Sequence, residues 1–93
     1  MIKSFKCKET EKIFKGTFSK KIPPEILKRA LRKLKELNRS KCVGDLKMPP
    51  ANFLESLYGE RKGQYSIRIN KQYRICFEWL DKDAFNVEIV DYH

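Results

Sequence analysis

The stretch QYSIRINKQYRICFEW, Gln64 to Trp79, carries two arginines, Arg68 and Arg74, and the sequence closes on Tyr92 and His93, the only histidine. These residue types suit cleavage of a ribonucleotide backbone, in which the substrate's own 2′-hydroxyl is the nucleophile and the protein needs neither metal nor covalent intermediate. The protein must align the phosphate, neutralise charge developing on its oxygens, and move protons to and from the two ribose oxygens. Guanidinium forks match phosphate oxygens geometrically. A histidine with an ordinary pKa near about 6.5 is the natural proton-transfer group, whereas a tyrosine near about 10 is better placed to stack on a base or orient the phosphate. Two other readings stay open at this level. Glu78 and Glu88 on the same face could neutralise the arginines, and the patch could bind RNA without cleaving it.

Other chemistries find little support. Ser56 and Ser66 belong to no Ser-His-Asp pattern, the glycines form no phosphate loop, and Glu55, Glu60, Glu78 and Glu88 lack metal-ligand spacing. Cys7, Cys42 and Cys76 are odd in number and widely separated, which disfavours a disulfide framework or a zinc site and fits a reducing cytoplasm. No cofactor or metal is expected. Nor is a membrane association, since the N-terminal MIKSFKCKETEKIF has no apolar signal core and no run approaches a membrane span.

The elements that must hold the arginines follow from hydrophobic spacing. Tyr65, Ile67 and Ile69 alternate with Ser66 and Arg68, and Tyr73, Ile75, Phe77 and Trp79 repeat the apolar face after a turn at Asn70 to Gln72. A two-residue turn would set Ile67 against Arg74 and place charge in the core. A three-residue turn sets Ile69 against Tyr73, Ile67 against Ile75, and Arg68 against Arg74. The second register is adopted. A further turn at Asp81 to Asp83 leads to Phe85, Val87 and Ile89 on the same apolar face. Pairing Trp79 with Phe85 then sets Val90 against Arg74, with Tyr92 one diagonal step away and His93 beside it.

The apolar face of this three-strand meander needs a cover. PPEILKRALRKLKELNR supplies a helix from Pro24 to about Asn38, with Leu27, Ala30, Leu31, Leu34 and Leu37 at helical spacing. Lys8 to Phe14 reads as one or two further helical turns, Ile2 to Phe5 as a short edge strand, and Cys42 to Asn52 as a connector. Phe53 to Tyr58 is ambiguous between strand and helical turn. The expected architecture is a single α+β domain over residues 1–93, a small antiparallel sheet with N-terminal helices on one face, thin because so short a chain buries only about 60 to 65% of its unfolded surface. With 21 Lys and Arg against 12 Asp and Glu, the formal charge is +9. The excess lies mainly before Met48. Lys28, Arg29, Arg32, Lys33, Lys35 and Arg39 form the polar face of the long helix, either as a solvating surface or as a face that steers or docks nucleic acid.

The strings LESLYGERKGQYSIRINKQYRICFEW and VEIVDYH, with MIKSF and PPEILKRALRKL, resemble the HigB toxins of type II toxin-antitoxin modules, also called plasmid maintenance system killer proteins, within the RelE/ParE-like superfamily. The resemblance covers essentially the whole chain. It implies a RelE-like microbial RNase fold and cleavage of mRNA on the translating ribosome. It also implies inhibition by a HigA-like helix-turn-helix antitoxin, the complex of the two binding operator DNA. Arg74 falls on the family's catalytic arginine, and Tyr92 and His93 on its terminal Tyr-His pair. Arg61 matches the basic position of the Gly-acid-Arg motif, Arg68 the arginine of Ser-Ile-Arg, and Gln72 a site-facing Asn. Where well-known members have His-Pro-Leu-Lys, this chain has Glu55-Ser56-Leu57-Tyr58, so Glu55 and Tyr58 enter the expected phosphate and RNA site and Tyr58 replaces a commonly basic side chain. A ParE-like gyrase inhibitor is the sister possibility, although its members normally lack the terminal Tyr-His pair.

Overall fold

The computed structural model describes residues 1–91. Two helices, α1 (Lys8–Phe14) and α2 (Pro24–Arg39), precede strands β1 (Glu55–Ser56), β2 (Gln64–Arg68), β3 (Tyr73–Leu80) and β4 (Asp83–Asp91). The strands form one antiparallel sheet in the order β1-β2-β3-β4. The α+β layering expected from the sequence is therefore present. The meander gains a fourth strand, because the ambiguous Phe53 to Tyr58 segment lays Glu55 and Ser56 against Ser66 and Tyr65.

The three-residue turn is formed. Asn70 Oδ1 accepts from the backbone N–H groups of Gln72 and Tyr73 at 2.9 and 2.7 Å, an Asx arrangement that closes the loop locally. The register then sets Ile67 against Ile75 and Arg68 against Arg74, as expected. Arg74 also pairs with Val90. The pairing of Trp79 with Phe85 is wrong: Trp79 faces Ala84 and Phe85 faces Glu78, because the register shifts between Cys76 and Glu78. Asn86 absorbs the irregularity at φ 52°, a conformation Asn tolerates better than most residues. The bulge reverses the parity of β4, so Ala84 joins Val87 in the core and Phe85 leaves it.

The N-terminal segment runs beside β4 without becoming a strand of its own. Ile2 bridges to Ala84 and Phe5 to Val87, both in parallel, and Ser4 Oγ accepts from Asn86 N–H at 2.8 Å. It covers the edge at the bulge.

Helix α2 buries Ile26, Ala30, Leu34 and Leu37 against the sheet. Leu27 and Leu31, placed in the core by spacing alone, are only partly buried, and the buried stripe is rotated toward Lys33. Lys33 is 6% exposed: its Nζ donates to Asn52 Oδ1 and lies 3.4 Å from Glu36 Oε2. Asn52 in turn donates to the carbonyls of Leu46 and Met48. The connector, which contains short 3-10 turns at Val43–Lys47 and Pro50–Asn52, is thereby pinned to α2 by polar bonds as well as by Leu46. Its placement brings the next residue, Phe53, to the end of the sheet.

Leu34→Ala should cost about 2 to 5 kcal/mol, as for a fully buried leucine, and Leu31→Ala less than half as much. Urea unfolding of the two variants distinguishes this packing from one centred on Leu31, which would reverse the order.

Candidate active site

The polar face of β2 and β3 is not open. Ser66 and Cys76 are fully buried and Arg74 is 8% exposed. A charged side chain at that depth requires acceptors, and neighbouring elements provide them. Arg74 Nε donates to Ser66 Oγ at 2.8 Å, and Nη2 donates to the backbone carbonyls of Phe53 and, at 3.4 Å, Ser66. Glu55 Oε1 lies 4.0 Å from Nη1, on a carboxylate that remains about half exposed. The guanidinium plane is thus fixed by its Nε and Nη2 edge.

Arg68, on the neighbouring strand, is held differently. Its Nε donates to Asn70 O at 3.0 Å, and its guanidinium carbon sits 5.1 Å from the centroid of the Phe53 ring, within cation–π range. Phe53 therefore contacts both arginines, Arg74 through its carbonyl and Arg68 through its ring. The backbone at Phe53 is left-handed, with φ 44°.

The two carboxylates considered as counter-charges to this pair are engaged elsewhere. Glu88 accepts from Arg61 Nη1 at 2.8 Å and lies 3.8 Å from Lys6 Nζ, while Glu78 accepts from Asn86 Nδ2 at 2.9 Å. Arg61, which also donates to Gln64 Oε1 at 3.1 Å, is presented by a 3-10 turn at Gly59–Arg61. Gly59 and Gly63, at φ 66° and 91°, occupy backbone conformations on either side of it that side chains rarely adopt.

Of the remaining expected residues, Gln72 donates to Asp91 Oδ2 at 3.1 Å, at the end of the sheet where Arg68 and Arg74 pair. Tyr58 is 86% exposed, beyond the end of β1. Tyr92 and His93 lie outside the described residues. On α2, Lys28, Arg29, Arg32, Lys35 and Arg39 are exposed, as a docking face requires. Lys33 is removed from that face, since a side chain bonded to Asn52 beneath the connector cannot meet a partner. Phe53 was missed in the sequence, where it looked like one more apolar residue of an ambiguous segment. Ser66 was read as a polar strand position and set aside as a nucleophile; its placement on the same face as Arg74, across from Cys76, was the signal that could have found it.

Burial pushes the Cys76 thiol above its ordinary pKa, outweighing the opposing effect of Arg61 and Arg74 nearby. It is a neutral packing group beneath the polar face. Among the described residues, no cluster of three His, Cys, Asp or Glu side chains could hold a metal ion, and no helix is long and apolar enough to cross a membrane.

Known proteins resemble this chain in sequence and in fold. Toxin HigB-1 of Vibrio cholerae is 40% identical over 87 residues, covering 92% of both chains. Endoribonuclease HigB of Proteus vulgaris is 30% identical over 93 residues and the whole of both chains. Among solved structures, the YoeB-YefM toxin-antitoxin complex from Staphylococcus aureus contains a chain that superposes with a TM-score of 0.61 at 20% identity, covering 100% of this chain and 98% of that one; the likeness shows the fold.

Ser66→Ala should lower stability by about 1 to 3 kcal/mol by leaving the Arg74 Nε donor without its hydroxyl acceptor. Chemical denaturation checks this. Iodoacetamide on the native protein should modify exposed Cys42 and spare Cys76, as read by peptide mass spectrometry.

The family model for RelE-like toxins of type II toxin-antitoxin systems of the HigB kind matches residues 3–93, and the chain belongs to that family of HigB-like toxins.

Proposed function

We propose that this toxin is a metal-independent endoribonuclease that cleaves mRNA on the translating ribosome. The observation that carries the reading is the opposed pair Arg68 and Arg74, set at one end of the sheet with Glu78 and Glu88 bonded to other partners. The endoribonuclease name of the Proteus vulgaris relative supports it from a separate direction.

In this mechanism Arg74 is the electrostatic residue. Its Nε and Nη2 edge is fixed by Ser66 and Phe53, so the guanidinium does not need to reorganise when charge builds on the phosphate oxygens. Glu55, near Nη1 and half exposed, is the anion a phosphate would displace. Arg68 and Gln72 flank the phosphate. Arg61 acts mainly by ordering the Gly59–Gly63 turn and Glu88, because its guanidinium is already shared with Glu88 and Gln64. Tyr92 and His93, assigned through the family resemblance, supply base stacking or phosphate orientation and proton transfer.

The cationic face of α2 serves two partners. Lys28, Arg32, Lys35 and Arg39 surround a shallow groove with Leu31 at its floor. That combination suits an acidic amphipathic segment of a HigA-like helix-turn-helix antitoxin, and the same charges suit ribosomal RNA. Occupation by the antitoxin would keep the toxin off the ribosome without covering Arg74. Operator DNA would be bound only through the antitoxin complex, in the cytoplasm. Reversing charge with the double variant Lys28→Glu, Arg32→Glu should weaken both associations, whereas loss of neither in co-purification and ribosome sedimentation would remove the shared dock.

Arg74→Ala should slow single-turnover cleavage on programmed ribosomes by about 30- to 1,000-fold, which corresponds to roughly 2 to 4 kcal/mol of transition-state stabilisation. Arg74→Lys retains charge without the planar fork and serves where the alanine variant does not fold. An unchanged rate in the folded lysine and alanine variants would take Arg74 out of the chemistry.

A further inference from the structure

A cavity of about 360 Å³ lies at the end of the β2–β3 hairpin, lined by Arg29, Phe53, Arg68, Asn70 and Lys71 together with Ala51 and Ile69. It is distinct from the Ser66 side of Arg74, yet it is joined to it through one residue. The Phe53 carbonyl bonds Arg74 while the Phe53 ring, 54% exposed, forms a wall of the cavity beneath Arg68. The Phe53 backbone is left-handed, at φ 44°, a conformation that a non-glycine residue keeps only where its surroundings hold it. The surrounding bonds fix it. Arg74 holds the carbonyl, Arg68 covers the ring, and Lys33 and Asn52 anchor the chain immediately before it.

The lining chemistry selects the occupant. One flat apolar surface recognises a π-face, and the three cations Arg29, Arg68 and Lys71 recognise an anion beside it. Arg29 is tied to the rim by a bond from Nη1 to Ile69 O at 3.3 Å. Among the described residues, no carboxylate lines the cavity. Its volume is near the lower end for small-ligand pockets, about 300 to 1,000 Å³, which suits one nucleotide and excludes a nucleic-acid duplex. Arg68 lines this cavity and pairs across the sheet with Arg74, so the cavity adjoins the Arg74 site.

We propose that this cavity is a subsite for a single-stranded RNA nucleotide flanking the cleaved phosphate, with its base on the Phe53 ring and its phosphate among Arg29, Arg68 and Lys71. This rests on the ribonuclease reading above. It adds a specificity-determining contact made to the base rather than to the backbone alone, so that the nucleotide beside the scissile bond affects the rate through its stacking surface.

The test is a cycle of two changes read by single-turnover cleavage on programmed ribosomes. Phe53→Leu removes the flat ring while keeping the carbonyl and avoiding a branched Cβ at positive φ, and Phe53→Trp retains the stacking surface. On the substrate side, an abasic nucleotide replaces each base flanking the cleavage site in turn. Phe53→Leu should slow cleavage of intact mRNA by about 5- to 150-fold, the range that stacking of one base on one ring supports. Phe53→Trp should stay near wild type. At one flanking position the abasic substrate should slow the wild type similarly and abolish any further effect of Phe53→Leu. Fully additive losses at every position in a protein that cleaves would overturn the subsite alone. A wild type that leaves every mRNA intact would overturn the ribonuclease reading and the subsite with it. Binding to ribosomes without mRNA should be the same for wild type and Phe53→Leu; a comparable loss there would assign the ring to ribosomal RNA and overturn the flanking-substrate assignment.

Discussion

The structure turns on a buried charge. Arg74, buried on the polar face of the sheet, would be destabilising by several kcal/mol if its guanidinium lacked acceptors. Each acceptor comes from a different feature. Ser66 requires the β2–β3 register, Phe53 requires the connector to end at the edge of the sheet, and Glu55 requires β1 to pair with β2. The register in turn depends on the Asn70 turn, and the connector on Lys33 and Asn52. A single buried charge thus ties together the order of a large part of the chain around it.

Much of the fold was legible because its determinants are local. The three-residue turn follows from the residue pattern alone, since the alternative would have placed Arg74 opposite Ile67 on the core face. Helices α1 and α2 followed from spacing and from Pro24. The β4 bulge was not legible: a single extra residue at Asn86 preserves the apolar alternation of the sequence while exchanging Phe85 for Ala84 inside. Nor was the rotation of α2. Leu27 and Leu31 fit a helical stripe as well as Ile26 does, and the rotation that buries Ile26 also places Lys33 against Asn52, an acceptor distant in sequence.

The candidate site divides in the same way. That Arg68 and Arg74 are neighbours came from register, but that they are unequal did not. One is enclosed and bonded through two of its nitrogens; the other lies over an aromatic ring at the mouth of a cavity. The sequence offered Glu78 and Glu88 as counter-charges with equal plausibility, and only the positions of Asn86, Arg61 and Lys6 show where those carboxylates are engaged. Charge counting had also treated six helical cations alike, although Lys33 is a structural bond and Arg29 belongs to the hairpin end as much as to the helix.

This inequality bears on the replacement of a commonly basic residue by Tyr58. Arg61, the nearest cation along the chain, cannot substitute for the missing charge without giving up Glu88, and Tyr58 itself projects into solvent. On the other side of the arginine pair, Arg29 and Lys71 line the Phe53 cavity. If RNA binds as proposed, charges there would act on the backbone of the strand beside the scissile phosphate more than on the phosphate itself, because Coulomb attraction near a protein surface falls off with distance and is screened over about 8 to 10 Å of salt solution. A site charged in this asymmetric way would hold the strand chiefly from one direction. In the proposed mechanism Arg74 is the cation nearest the scissile phosphate, and its orientation, fixed by Ser66 and the Phe53 carbonyl, would matter more than the protein's total charge.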